Sequence, residues 1–218
     1  MDKFDIEYWN LFYDSNSCNL RYQEATNFAR TVSETLNSKH MIIDLGAGSG
    51  RDALFFSQLG HEVIAVDLSS KAIALIKLRS LSLGLNLAVF QSGFTSPNEY
   101  SDLIEKCTRI NVRKLPIVFY ARFFFHAVPF EIEQNVINFI VEIAESNGGQ
   151  LFAEFRIREE NDYVYGKHFR RPLDLSEFVK HLEREGFQIL SISESDSFSI
   201  LGNETPLLAR VHCEIEAV

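Results

Sequence analysis

The sequence predicts an α/β fold: a doubly wound sheet of about seven strands, mostly parallel, with an antiparallel C-terminal strand and helices ahead of the sheet. Three observations carry this. Short apolar runs alternate with amphipathic stretches of helical period from His40 to Ile157, the rhythm of a parallel sheet covered on both faces. Glycines close helical stretches at Gly60, Gly84, Gly148 and Gly186, where a left-handed residue ends a helix and turns the chain into the next strand. The tail then carries two apolar runs joined by a short connection, and strands joined without a helix pair antiparallel.

Taken in order, the segment to about Ser38 reads as one or two helices. "HMIIDLG" is the first strand and "RDALFFSQL" the helix after it; "HEVIAVD" is the second strand, followed by the helix "SSKAIALIKLRSLSL". "NLAVFQ" is the third strand and "LPIVFYARF" the fourth, with no element predicted between them. A helix from about Pro129 to Ser146 places its proline in the first turn, where a missing N–H costs nothing. "QLFAEFRI" is strand five; a polar loop, the helix "DLSEFVKHLEREG" and the strands "FQILSISES" and "PLLARVHCEI" complete the chain. One domain is expected over residues 1–218, divided into a helical lid (1–38), a cofactor-binding core (39–158) and a substrate loop with C-terminal strands (159–218).

Composition sets outer limits. With 218 residues, 46% hydrophobic and 23% charged, the chain has material for one large core. A net charge of −9 repels phosphate backbones, so nucleic acid is not an expected partner. No 18-residue apolar stretch occurs and "MDKFDIEYWN" lacks a charged-then-apolar export pattern, so a cytoplasmic protein without membrane partners is expected. Cys18, Cys107 and Cys213 show neither metal nor disulfide spacing and are read as reduced thiols, with no metal site.

"DLGAGSG" sets Gly46, Gly48 and Gly50 in one turn. Glycine costs folding the most backbone entropy, so the cluster serves either a tight strand–helix turn or a ligand pressed against the backbone. Ligands of open parallel sheets bind beyond the carboxyl ends of the strands, and an acid ending the second strand, here Asp67, is placed to hold ribose hydroxyls. The spacing is not the G-x-G-x-x-G of dinucleotide folds. Asp44, just before the glycines, suits a ligand with a cationic amino group better than a diphosphate.

"DLGAGSGRDALFFSQLGHEVIAVDLSSKAI" resembles the first two motifs of class I S-adenosylmethionine-dependent methyltransferases, whose Rossmann-like sheet has seven strands. The resemblance implies S-adenosylmethionine as cofactor and S-adenosylhomocysteine as product. It places Asp44, Gly46 and Gly48 at the methionine end, Asp67 at the ribose and Leu68 on the adenine, with Ala47, Arg51 and Tyr120 also in the cofactor set. The family often carries an acid after strand three; "FQSGFT" has none, so Ser92, Gly93 or Phe94 is expected there.

After strand four, "FYARFFFHAVP" sets Arg122 and His126 in an apolar stretch. A buried Arg needs an anionic partner, either a protein carboxylate or a ligand. His126 is either a satisfied core histidine or a base for a hydroxyl acceptor; with an acceptor already ionised it only binds. "YVYGKHFRRP" gathers Tyr163, Tyr165, Lys167, His168, Arg170 and Arg171 without an acid, either a solvated loop or one that closes over phosphate or carboxylate. Tyr8, Trp9, Phe12 and Tyr13 either fold over the site or pack a helix on the sheet.

"YWNLFY", "GRD", "YARFFFHAV" and "YGKHFRR" together resemble bacterial small-molecule methyltransferases of surface-polysaccharide pathways, including ones that methylate phosphoramidate-type capsule groups, with "TNFA" as their N-terminal element. The expectation is therefore a small-molecule O- or N-methyltransferase with an anionic acceptor, Arg122 and His126 as its catalytic pair. The alternatives are a non-catalytic binder of the same cofactor and a dinucleotide-dependent oxidoreductase.

Overall fold

A strand covered on both faces must be apolar along its whole length, and β1 (Met41–Leu45) is buried at every position, including Asp44. It lies between β2 (Glu62–Asp67) and β4 (Ile117–Arg122), parallel to both. With β3 (Ala88–Gln91), β5 (Gly149–Arg156), β6 (Gln188–Ser195) and β7 (Leu208–Ile215) it forms one seven-stranded sheet in the order β3-β2-β1-β4-β5-β7-β6. β7 runs antiparallel to β5 and β6. The computed structural model describes residues 6–16, 19, 23–111, 113–157, 169–199 and 205–217.

The helices are α1 (Ile6–Ser15), α2 (Asn27–Thr35), α3 (Arg51–Gln58), α4 (Ser70–Ser82), α5 (Pro97–Ile110), α6 (Phe130–Ala144) and α7 (Leu175–Arg184). Alternation along the strands divides the core. Ile43, Ile64, Phe119 and Leu151 pack with residues of α5, α6 and α7 on one face. Ile42, Val63 and Val118 pack with Phe28, Ala29, Phe56 and Ile76 on the other. Because crossovers leave β1 in both directions, a crevice opens beyond its carboxyl end, between β1 and β4.

One outcome differs from the sequence reading. A helix, α5, lies between β3 and β4: Ser96 caps it, Pro97 sits in its first turn, and Tyr100, Leu103 and Cys107 are its buried face. The final strand, β7, inserts between β5 and β6. Among the described residues no helix is long and apolar enough to cross a membrane.

Candidate functional site

The turn between β1 and α3 is held by backbone. Gly46 and Ala47 N–H both donate to the Val66 carbonyl at 2.9 Å, and Gly46, Gly48 and Gly50 all have positive φ (+72°, +56° and +74°). The conformation alone demands glycine, and so does the crowding. A Cβ on Gly46 would lie 2.6 Å from Phe124 Cδ2, and one on Gly48 would lie 2.5 Å from the Tyr13 hydroxyl.

Three acids converge under this turn. Asp67 accepts Gly48 N–H through Oδ2 and Ser69 N–H through Oδ1, both at 2.8 Å; burial still pushes its carboxyl up to about 6. Burial, with Asp52 and Asp67 nearby, raises Asp44 well above the ordinary carboxylate range. Asp44 Oδ2 is buried without a hydrogen-bond partner among the described residues, an uncompensated cost unless a donor arrives from outside. Asp52, by contrast, is fully used: it accepts Thr26 N–H at 2.8 Å, the Thr26 hydroxyl at 3.0 Å and the Tyr120 hydroxyl at 2.8 Å.

That network corrects one expectation. Tyr120 is not at the cofactor cleft; it is fully buried beneath the turn, stacked on Phe28, and locks α2 to α3 through Asp52. Phe94 is likewise corrected as a side-chain contact, since its ring is core against Phe139. Ser92 N–H donates to the Asp67 carbonyl at 3.1 Å, and a Cβ on Gly93 would lie 2.7 Å from Leu68 Cδ1. Arg51 opens α3, close enough to Asp44 to lower its pKa slightly against the larger opposing causes.

Helix α1 closes the crevice. A cavity of about 70 Å³ remains, lined by Trp9, Tyr13, Gly46, Asp67, Leu68, Phe123, Phe124, Ala127 and Val128. Trp9 and Tyr13 stack with centroids 5.9 Å apart, and the Arg170 guanidinium lies 5.0 Å from the Trp9 ring centroid. Asn10 Oδ1 accepts the Ser69 hydroxyl at 2.7 Å and Asp14 pairs with Lys71 at 2.9 Å. Tyr8 and Phe12 extend the aromatic cluster. No residue of α1 is buried, so its attachment is of surface strength.

Past the carboxyl end of β4 several arginines gather, four of them acting on His126. Arg122 Nε donates to Glu154 Oε1 and Arg210 Nε to Glu154 Oε2, each at 2.8 Å, with Glu154 only 1% exposed. The anionic partner of Arg122 is thus a protein carboxylate, which corrects its expected place as a catalytic residue facing the acceptor. Arg171 pairs with Glu133, whose other oxygen lies 3.1 Å from His181 Nδ1. Buried His126 is held well below its ordinary pKa by desolvation and by Arg170, Arg156, Arg122 and Arg171. Its Nδ1 accepts the Arg156 N–H at 3.2 Å, which assigns the ring proton to Nε2 and makes that nitrogen a donor. Tyr163, Tyr165, Lys167 and His168 lie outside the described residues.

Sequence reasoning missed Asp52, Glu154, Glu133, Arg156 and Arg210. Glu154 and Arg156 carried a signal, charges inside an otherwise apolar strand. Asp52 stood beside the glycines but its partners are Thr26 and Tyr120, far off in sequence.

Residues 42–107 match the model of a family described as a methyltransferase domain. That span holds the glycine turn, Asp67 and most of α5. No curated protein matches the chain. Among solved structures, an S-adenosylmethionine-dependent methyltransferase from Anabaena variabilis superposes with TM-score 0.72 at 17% identity, over 97% of this chain and 95% of that one. The glycopeptide N-methyltransferase MtfA complexed with S-adenosyl-L-methionine gives 0.59 at 16%, over 89% and 95%. The [4+2]-cyclase SpnF gives 0.63 at 14%, over 87% and 80%. The shared property is the Rossmann-like methyltransferase fold, and a cyclase among the neighbours shows that this fold serves other chemistry.

Proposed function

We propose that the protein is an S-adenosylmethionine-dependent methyltransferase for a small anionic acceptor, a phosphate, phosphoramidate or carboxylate of the kind borne by surface-polysaccharide precursors. The observation that carries the cofactor half is the orphaned buried oxygen of Asp44 beside the glycine turn, with Asp67 one strand away. Asp44 would take the cofactor's amino group, Asp67 its ribose hydroxyls, and Leu68 with the Ser92–Phe94 segment its base. When bound, the cofactor supplies an electrophilic methyl on sulfonium. Trp9, Tyr13 and Phe124 present aromatic faces that favour a cation and exclude water.

The cavity of about 70 Å³ is well below the roughly 300 Å³ that small-ligand pockets need. Entry therefore requires α1 to swing outward, breaking the Asn10, Asp14 and Trp9–Arg170 contacts. The helix then acts as a lid.

The acceptor half rests on Arg170 and Arg156, the two guanidinium groups acting most on His126, since Arg122 and Arg171 are paired with Glu154 and Glu133. Their field favours an anion, and an anionic acceptor would need no base to receive the methyl that the cofactor would supply. His126 suits this role as an Nε2–H donor, since its Nδ1 lone pair is engaged by Arg156. The test is calorimetric titration with S-adenosylhomocysteine and NAD, followed by methyl transfer from labelled cofactor to phosphorylated and carboxylated metabolites. Binding of NAD in place of the nucleoside thioether sinks the methyltransferase reading. A neutral or cationic best acceptor sinks the acceptor class, and a kcat loss in His126→Asn of several orders of magnitude returns His126 to the role of base.

A further inference from the structure

The segment after β3 holds a conformation that its own sequence does not favour. Phe94 has φ +55°, a strained angle for a bulky residue, yet it is 1% exposed and sits in the core. Such strain persists only where surrounding contacts over-determine it.

The contacts come from Glu99, in the first turn of α5. "SPNE" is a capping-box sequence, in which the glutamate ordinarily turns back to the N–H of the capping serine. Here Glu99 reaches further. Oε1 accepts Gly93 N–H at 2.7 Å; Oε2 accepts Thr95 N–H at 2.8 Å and the Thr95 hydroxyl at 2.7 Å. With Ser92 nearby, these donors hold the Glu99 pKa below the ordinary value although desolvation, the largest single cause, works the other way. Asn135 Nδ2 ties the Phe94 carbonyl at 2.7 Å. The segment is anchored at one end by Ser92 N–H on the Asp67 carbonyl at 3.1 Å, and Gly93 packs directly against the side chain of Leu68, which lines the cavity.

We infer that Glu99 is a positioning residue for the base end of the cofactor cleft: it acts through the Ser92–Thr95 backbone, setting the wall against which the nucleobase packs. This rests on the reading of Asp67 as the ribose acid, because the wall is the next surface beyond it.

The test compares Glu99→Ala, Glu99→Gln and Ser96→Ala, the last removing the α5 cap while leaving the wall's anchors in place. Dissociation constants are measured calorimetrically for S-adenosylhomocysteine and its 6-oxo (hypoxanthine) analogue. Glu99→Ala is expected to weaken the adenine compound about tenfold and to bring the ratio of the two constants toward one. Glu99→Gln, which keeps one acceptor oxygen, should fall between. Ser96→Ala should keep the wild-type ratio even if its melting temperature drops as far. Wild-type affinity and ratio in Glu99→Ala overturn the inference alone. Failure of the wild-type protein to bind either compound overturns the cofactor reading, and this inference with it.

Discussion

Asp67 links protonation to ligand binding in a way that calorimetry can read. Its carboxyl is buried and pushed up from 3.8 to about 6. At pH 7.5 it is almost wholly ionised; at pH 5 about a tenth of it is. If ribose hydroxyls bind the ionised form, affinity for S-adenosylhomocysteine falls about tenfold from pH 7.5 to pH 5, or about 1.4 kcal/mol. The stability of the ligand-free protein moves the other way. The folded-state value lies above the ordinary one, so the folded protein keeps this proton longer than the unfolded chain. Stability is therefore lost as pH rises from about 4 to about 6, by about 3 kcal/mol at about 1.4 kcal/mol per pH unit. The assay is titration of wild type and Asp67→Asn from pH 5 to 8, with urea melts of the ligand-free proteins. Asp67→Asn should bind more weakly and show a flatter pH profile, the residual slope belonging to Asp44. Equal wild-type affinity at pH 5 and 7.5, or the same slope in both proteins, refutes the assignment of Asp67 to the ligand.

Gly46→Val should abolish cofactor binding, because its Cβ would meet Phe124 at 2.6 Å and φ is +72°; far-UV circular dichroism should stay close to wild type, and retained binding would make the glycines turn residues only. Glu154→Ala leaves Arg122 and Arg210 charged and largely buried, so urea denaturation should show a loss of about 3–5 kcal/mol; a loss under 1 kcal/mol would mean that the two guanidinium groups reach water. Tyr13→Ala removes the hydroxyl seated over Gly48 from a helix with no fully buried residue; stopped-flow association of the cofactor product should quicken several-fold, and an unchanged rate would count against lid opening as the entry step. Cys107 and Cys213, buried and raised to about 12, should resist alkylation in the native protein at pH 8 and react on unfolding.

What the sequence determined by itself is whatever local rules write along the chain. Short continuous apolar runs marked β1 and β2, and period-3.6 burial marked α3 and α4; a cluster of glycines marked the turn after β1; a tail without a crossover helix marked the antiparallel pairing of β6 and β7. Even α5, left out of the sequence reading, has its signal in Ser96, Pro97 and the spacing of Tyr100, Leu103 and Cys107. Asp44 and Asp67 were legible for the same reason, since a strand's carboxyl end is a position that local pattern defines. Partnership is different. Arg122 required an anion, and the residue types could not say whether ligand or protein supplied it; only the parallel register of Arg122 with Glu154, and the antiparallel register of Glu154 with Arg210, gave the answer. The same holds for Tyr120, bonded to Asp52, and for Glu99, a capping residue by sequence whose carboxylate the fold turns to Gly93 and Thr95. A charge or hydroxyl bonds whatever donor or acceptor the fold brings within about 3 Å, and that proximity belongs to the sheet order and crossovers rather than to any neighbour in sequence.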